Sequence, residues 1–125
     1  MRARFIVTLL IFVFFCFNQA YALDWGKQYS TTPSTLNDLF FINASTGFAV
    51  GENGTFLKTT DGGNTWAGRN ISNIGNSNTL TSIQFLSATH GFITSTLYDG
   101  TTNFARFYET ADGGESWTLF FSSTG

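Results

Sequence analysis

Cysteine is almost absent from this chain. The single Cys16 lies inside an N-terminal apolar run, so no disulfide framework and no thiol nucleophile can be built downstream of it. Basic residues are scarce too. Beyond residue 22 only Lys27, Lys58, Arg69 and Arg106 stand against eight acids, a formal net charge of −4. That excludes the basic patch a nucleic acid requires. His90 is the only histidine, and no nucleophile paired with a base and no metal-ligand cluster is readable around it. Helical periodicity is missing after the N-terminal run. Low charge with abundant Thr, Ser, Asn, Gly and Phe predicts an all-β chain.

The first residues read as an export signal. Arg2 and Arg4 precede an apolar run from Phe5 to Phe17, and Ala20-Tyr21-Ala22 has the small-x-small pattern of a cleavage site. The run is shorter than the roughly 20 residues a membrane helix needs. Residues 1–22 are therefore expected to be a signal peptide, with Leu23 the first mature residue and no membrane span after cleavage. The product is expected to be exported, to a periplasmic or a secreted location.

One octapeptide organises the remainder. Thr59-Thr60-Asp61-Gly62-Gly63-Asn64-Thr65-Trp66 returns as Thr110-Ala111-Asp112-Gly113-Gly114-Glu115-Ser116-Trp117. Both fit Thr-x-Asp-x-Gly-x-(Ser/Thr)-Trp, the Asp-box. A carboxylate in such a turn accepts backbone N–H groups that follow it. Paired glycines allow positive φ, and the tryptophan can bury a large ring as the chain re-enters a sheet. The expected role of Thr59, Asp61, Gly63, Thr65 and Trp66, and of Thr110, Asp112, Gly114, Ser116 and Trp117, is structural. Calcium needs about six or more oxygens, and one Asp per turn does not provide them. No metal, cofactor or catalytic residue is assigned.

The repeat extends on both sides of the box. Leu36-Asn37-Asp38-Leu39-Phe40-Phe41 matches Leu80-Thr81-Ser82-Ile83-Gln84-Phe85, and Gly47-Phe48-Ala49-Val50 matches Gly91-Phe92-Ile93-Thr94. Phe56-Leu57-Lys58-Thr59 then matches Phe107-Tyr108-Glu109-Thr110. Each unit reads as four short antiparallel strands, over residues 36–70 and 80–122. Asn53-Gly54 marks a tight hairpin between the second and third strands of the first unit. The copies are offset by 44 residues in their first two strands and by 51 at the Asp-box. The seven extra residues predict a longer loop from Thr96 to Ala105, and Tyr98, Asp99, Asn103 and Phe104 on it are candidate binding residues. Asp24-Trp25-Gly26-Lys27-Gln28 resembles the start of a fourth strand, so residues 24–30 are expected to be a leading strand that completes another unit.

Four-stranded units of this length stack radially as β-propeller blades. The motifs Leu36-x-x-Leu39-x-Phe41, Gly47-Phe48-Ala49-Val50-Gly51, Asn53-Gly54-Thr55 and the first Asp-box resemble the BNR/Asp-box repeats of the photosystem II assembly and stability factor family. The second copy departs from them at Thr94-Ser95 and at its expanded turn. The resemblance implies a partial propeller over residues 23–125 and a non-catalytic scaffold that binds a protein, as photosynthetic members bind a photosystem II core subunit.

Two other readings compete. A small two-blade lectin would assemble into a propeller as a homo-oligomer, and the size and aromatic content suit it. A sialidase-type glycosidase needs an arginine cluster, which Arg69 and Arg106 do not form. Two blades fall short of the four or more a ring needs, so the chain is expected to be part of a larger propeller. Its apolar blade faces and strand edges would then be uncovered.

Overall fold

The structure is a computed structural model that describes residues 29–72 and 74–123. The expected signal peptide and most of the expected leading strand lie outside the described residues. Two four-stranded antiparallel sheets follow one another along the chain. The first holds β1 (Leu36–Phe41), β2 (Gly47–Gly51), β3 (Phe56–Thr59) and β4 (Ala67–Gly68); the second holds β5 (Asn78–Phe85), β6 (Gly91–Tyr98), β7 (Asn103–Thr110) and β8 (Thr118–Ser122). In each sheet the strands lie in chain order, the meander of a propeller blade.

Local chemistry sets the turns. Between β1 and β2, Asn43 Oδ1 accepts the N–H groups of Ser45 and Thr46 at 2.9 and 2.8 Å. Ser87 Oγ does the same for Thr89 and His90 in the second blade, at 3.3 and 3.0 Å. His90 is thus an exposed turn residue. Between β2 and β3, Asn53 and Gly54 both take positive φ, 56° and 65°. That pair is the type I′ turn whose twist matches the flanking strands.

Each first strand carries one bulge at the same place in the repeat, between Leu36 and Asp38 in β1 and between Leu80 and Ser82 in β5. The bulge turns Asn37 and Asp38 toward the other blade. Asn37 Nδ2 donates to Leu80 O at 2.8 Å. Asp38 Oδ2 accepts Ser82 Oγ at 2.7 Å and Ile83 N at 2.9 Å. Burial opposes ionisation of Asp38, but the bonds from Ser82, Ile83 and Leu39 outweigh it and hold the carboxyl below its ordinary range.

The core sits between the blades. Phe48, Val50 and Phe56 of the first blade meet Leu80, Ile83, Phe85 and Trp117 of the second. Phe48 stacks on Phe56 at 5.6 Å and on Phe85 at 5.0 Å, with planes 12° and 14° apart. Trp117 closes the group edge-on, 5.9 Å from Phe56 and 6.0 Å from Phe85. Offset-stacked and edge-to-face rings place positive ring edges against negative faces. Lys58 crosses above the stack, 5.5 Å from the Phe48 ring, and its ammonium pairs with Glu115 in the second blade's Asp-box.

The tryptophans immediately precede the fourth strands, since β4 starts at Ala67 and β8 at Thr118. One expectation needs correction. The stretch from Thr96 to Ala105 is not one long loop. Its alternating side chains continue the ladder, so β6 runs to Tyr98 and β7 starts at Asn103. Only residues 99–102 turn.

Candidate binding surfaces

The Asp-boxes close on themselves. Thr59 Oγ1 donates to Asp61 Oδ1 at 2.8 Å and accepts Gly63 N at 2.9 Å. Thr65 N reaches Asp61 Oδ1 at 2.9 Å, and Thr65 Oγ1 reaches Oδ2 at 2.6 Å. The second box repeats the pattern. Thr110 Oγ1 donates to Asp112 Oδ1 at 2.8 Å and accepts Gly114 N at 3.0 Å. Ser116 N and Glu115 N donate to Asp112 Oδ1 at 2.9 and 3.0 Å, while Ser116 Oγ donates to Oδ2. The glycine pairs stand at φ 71° and 92°, then 73° and 85°. Gly62 N and Gly113 N bond Ser45 O and Thr89 O, which ties each box to the preceding turn.

Such donor-rich surroundings hold the carboxylates ionised. Thr65, through its hydroxyl first and its N–H second, lowers Asp61 from 3.8 to about 2. Ser116 lowers Asp112 further by the same two bonds. An acid kept so far below neutrality is poorly matched to proton transfer near pH 7. Among the described residues no three His, Cys, Asp or Glu side chains group together as metal ligands.

The two tryptophans have different surroundings. Trp117 is 6% exposed within the inter-blade core, whereas Trp66 is half-buried. Their own-blade contacts match: Phe41 meets Trp66 at 6.0 Å and 78°, and Phe85 meets Trp117 at 6.0 Å and 76°. Trp66 borders an apolar groove of about 630 Å³ on the first blade, shared with Tyr29, Leu36, Leu39, Phe41 and Leu57. In the second blade the counterparts of Leu36 and Leu39 are Leu80 and Ile83. Leu39 is 54% exposed and Ile83 only 3%. At the other end of the chain the second blade presents Phe92, Phe107, Phe120 and Phe121, in edge contacts of 5.6 to 6.4 Å. Phe92 and Phe107 are the counterparts of Phe48 and Phe56.

The hairpin tip is ordered by its own bonds. Asp99 Oδ1 accepts Thr101 N and Thr102 N, both at 2.8 Å. Those bonds, from Thr102 first, lower its pKa. Tyr98 OH donates to Gly100 O at 2.9 Å, and Gly100 has φ 99°. Tyr98 pairs with Asn103 and Leu97 with Phe104 across the ribbon, so Tyr98 and Asn103 lie on one face and Phe104 on the other. Sequence reasoning missed the groove and the Asp38–Ser82 and Lys58–Glu115 ties. Aligning the copies signals the groove, because Leu36, Leu39, Phe41 and Trp66 have buried twins in Leu80, Ile83, Phe85 and Trp117.

A sequence profile described as "Photosynthesis system II assembly factor YCF48" matches residues 17–96. A curated relative, "Photosystem II stability/assembly factor HCF136, chloroplastic" from Guillardia theta, is 40% identical over 60 residues, 46% of this chain and 15% of that protein. Among solved structures, "YCF48 bound to D1 peptide" superposes with a TM-score of 0.63 at 30% identity, over 80% of this chain and 32% of that one. "YCF48 from Cyanidioschyzon merolae" superposes with a TM-score of 0.65 at 24% identity, over 78% and 30%, a likeness of fold. The chain thus spans about a third of the solved chains it matches. None of these relatives favours the lectin or the sialidase reading.

Proposed function

This chain belongs to the photosystem II assembly factor YCF48 family, and we propose that it is a non-catalytic scaffold segment that holds a photosystem II core protein during assembly. One observation carries the reading: the solved relative bound to a D1 peptide shares 30% identity over 80% of this chain. The site chemistry supports it. The Asp-box carboxylates are occupied by their own turns, and the remaining surface features are aromatic and apolar rather than nucleophilic. The β6–β7 hairpin is the first element to examine as a contact, through Tyr98, Asn103 and Phe104, with Asp99 shaping the tip. Titrating a labelled D1 peptide into the purified chain tests this. Saturable anisotropy change, weakened by a Tyr98→Ala and Phe104→Ala double substitution, is expected. A folded chain that leaves the peptide tumbling freely would overturn the reading.

Export belongs to the same proposal. Arg2, Arg4, the Phe5–Phe17 run and Ala20-Tyr21-Ala22 direct the chain across a membrane, and no helix of the described residues is long and apolar enough to cross one. Mass spectrometry of the exported protein is expected to show Leu23 at its N-terminus. Recovery of intact Met1 in the membrane fraction would count against it.

A further inference from the structure

We propose that Asn53 is a site of self-modification, where the chain deamidates at Asn53-Gly54 once the contact between this turn and the second blade opens.

The pair is chemically set apart. A glycine has no Cβ to keep its nitrogen away from the preceding side chain, and no other asparagine of the chain precedes a glycine. Gly54 N gives its proton to water and attacks Asn53 Cγ. The N–Cγ bond forms, the Cγ–Nδ2 bond breaks, and Nδ2 leaves as ammonia with a proton from water. Water then opens the cyclic imide at either carbonyl carbon, to aspartate or to isoaspartate. Asp61, Asp99 and Asp112 also precede glycines. Ring closure there needs a protonated carboxyl that can expel its hydroxyl. Hydrogen bonds, from Thr65, Thr102 and Ser116 foremost, hold all three below the ordinary carboxylate range.

The fold holds the two reacting groups to different neighbours. Asn53 Nδ2 donates to Ser34 Oγ at 3.2 Å, in the segment that enters β1. Gly54 N donates to Asn78 O at 2.7 Å, at the start of β5 in the second blade. An N–H held by a carbonyl is not free to give up its proton. Gly54 is also pressed against the connection between the blades: a Cβ there would stand 2.8 Å from Gly75 O and 3.3 Å from Ile74 Cγ2. Asn53 is exposed and Gly54 half-buried. Water therefore reaches the carboxamide while the attacking nitrogen is engaged. Attack waits for Gly54 to leave Asn78, a local opening of the joint.

The change runs one way. Isoaspartate carries the main chain through Cβ, which adds a backbone atom to a turn whose form depends on two successive positive φ values. Gly51 N to Thr55 O and Thr55 N to Glu52 O close this turn at 3.0 Å each, and Gly54 N ties it to Asn78. The lengthened turn cannot satisfy all three bonds. A chain that has once opened here is thus marked, and its blades are less firmly joined.

Incubating the purified chain at mildly alkaline pH, in native buffer and in urea, tests this. Mass spectrometry of the tryptic peptide 28–58, with fragmentation to locate the change, reads the rate at Asn53. Deamidation is expected to be at least about tenfold slower in native buffer, as for a group reached only through local opening. Ile74→Ala, which thins the packing against Gly54, and Ser34→Ala, which frees the carboxamide, should each raise the native rate and leave the rate in urea unchanged. Ser34 lies outside the hydrophobic core, so its variant keeps the test valid should Ile74→Ala fail to fold. The isoaspartyl form, separated by ion exchange, should melt below the unmodified chain. Equal rates in native buffer and in urea would overturn the proposal. So would a native rate that Ser34→Ala leaves unchanged, or an isoaspartyl form that melts together with the unmodified chain.

Discussion

Phe48 and Phe85, on different blades, lie with their ring centroids 5.0 Å apart and their planes 14° from parallel. This contact is the centre of the joint between the two repeats. Each ring also shapes its own blade. The Phe85 ring lies across Gly91, where a Cβ would stand 2.7 Å from it, and Phe41 lies across Gly47 in the same way. Glycine opens β2 and β6 because a ring from the neighbouring strand occupies the space of its side chain.

The joint predicts unequal costs for equivalent substitutions. Phe48 is fully buried, and Phe48→Ala is expected to destabilise the fold by about 3–5 kcal/mol, the usual range for emptying a buried ring. Phe92 holds the same place in the repeat but is only half-buried, so Phe92→Ala is expected to cost about half as much or less. Urea unfolding of both variants checks this. Equal losses would show that the joint is not where the stability lies.

An Asp-box glycine and a hairpin-tip glycine offer a second test. Gly114 and Gly100 both have positive φ, 85° and 99°. Alanine at Gly100 meets nothing within 4 Å, so Gly100→Ala is expected to cost about 1–2 kcal/mol, the strain of the left-handed region. Gly114→Ala adds the collision with Phe48 at 3.0 Å, an overpacking of about 1–3 kcal/mol more. The difference in denaturation midpoint between the two variants measures the close approach of Phe48 to Gly114.

The blades were legible because each strand's pattern occurs twice. A match such as Leu36-x-x-Leu39-x-Phe41 with Leu80-x-x-Ile83-x-Phe85 is too specific for chance. The Asn53-Gly54 turn was legible because few dipeptides accept two positive φ values in succession. The hairpin was misread for a physical reason. Thr96-Leu97-Tyr98 and Asn103-Phe104-Ala105 can prolong a ladder as readily as they can fill a loop, and only cross-strand pairing decides. The inter-blade ties were not legible at all. Asp38 looks like a surface acid until the bulge beside it turns its carboxylate onto Ser82 and Ile83. Trp66 and Trp117 are identical in motif and differ only in what lies beyond them.

Lys58 and Glu115 give a third test. Glu115 is held below its ordinary 4.5 by the hydrogen bond from Lys58 and then by that residue's charge. Lys58→Met is expected to return the Glu115 titration toward the ordinary value in a carboxyl-detected NMR titration. Stability should change by about 1 kcal/mol or less, because the Glu115 side chain is 54% exposed and water screens the pair. A Glu115 titration unmoved by the substitution would remove Lys58 as the cause.

The fourth test is acid unfolding. Asp61 is ordinarily expected to titrate at 3.8, and its turn lowers that to about 2; Asp112 is lowered further still. Both groups bind protons more weakly in the folded chain than in the unfolded one. Their contribution is therefore fully present above the unfolded value and is lost as pH falls through the folded one. Melting temperature is expected to be level above about pH 5 and to decline from there toward about pH 2. Asp61→Asn with Asp112→Asn keeps an amide oxygen for the backbone donors but removes the charge that Thr65 and Ser116 hydroxyls stabilise. That double variant should melt lower at neutral pH and decline less steeply in acid, so the two curves approach each other as pH falls. Asp38, Asp99 and Glu115, also lowered, leave a residual slope. Parallel curves would mean that the Asp-box carboxylates contribute nothing through their ionised form.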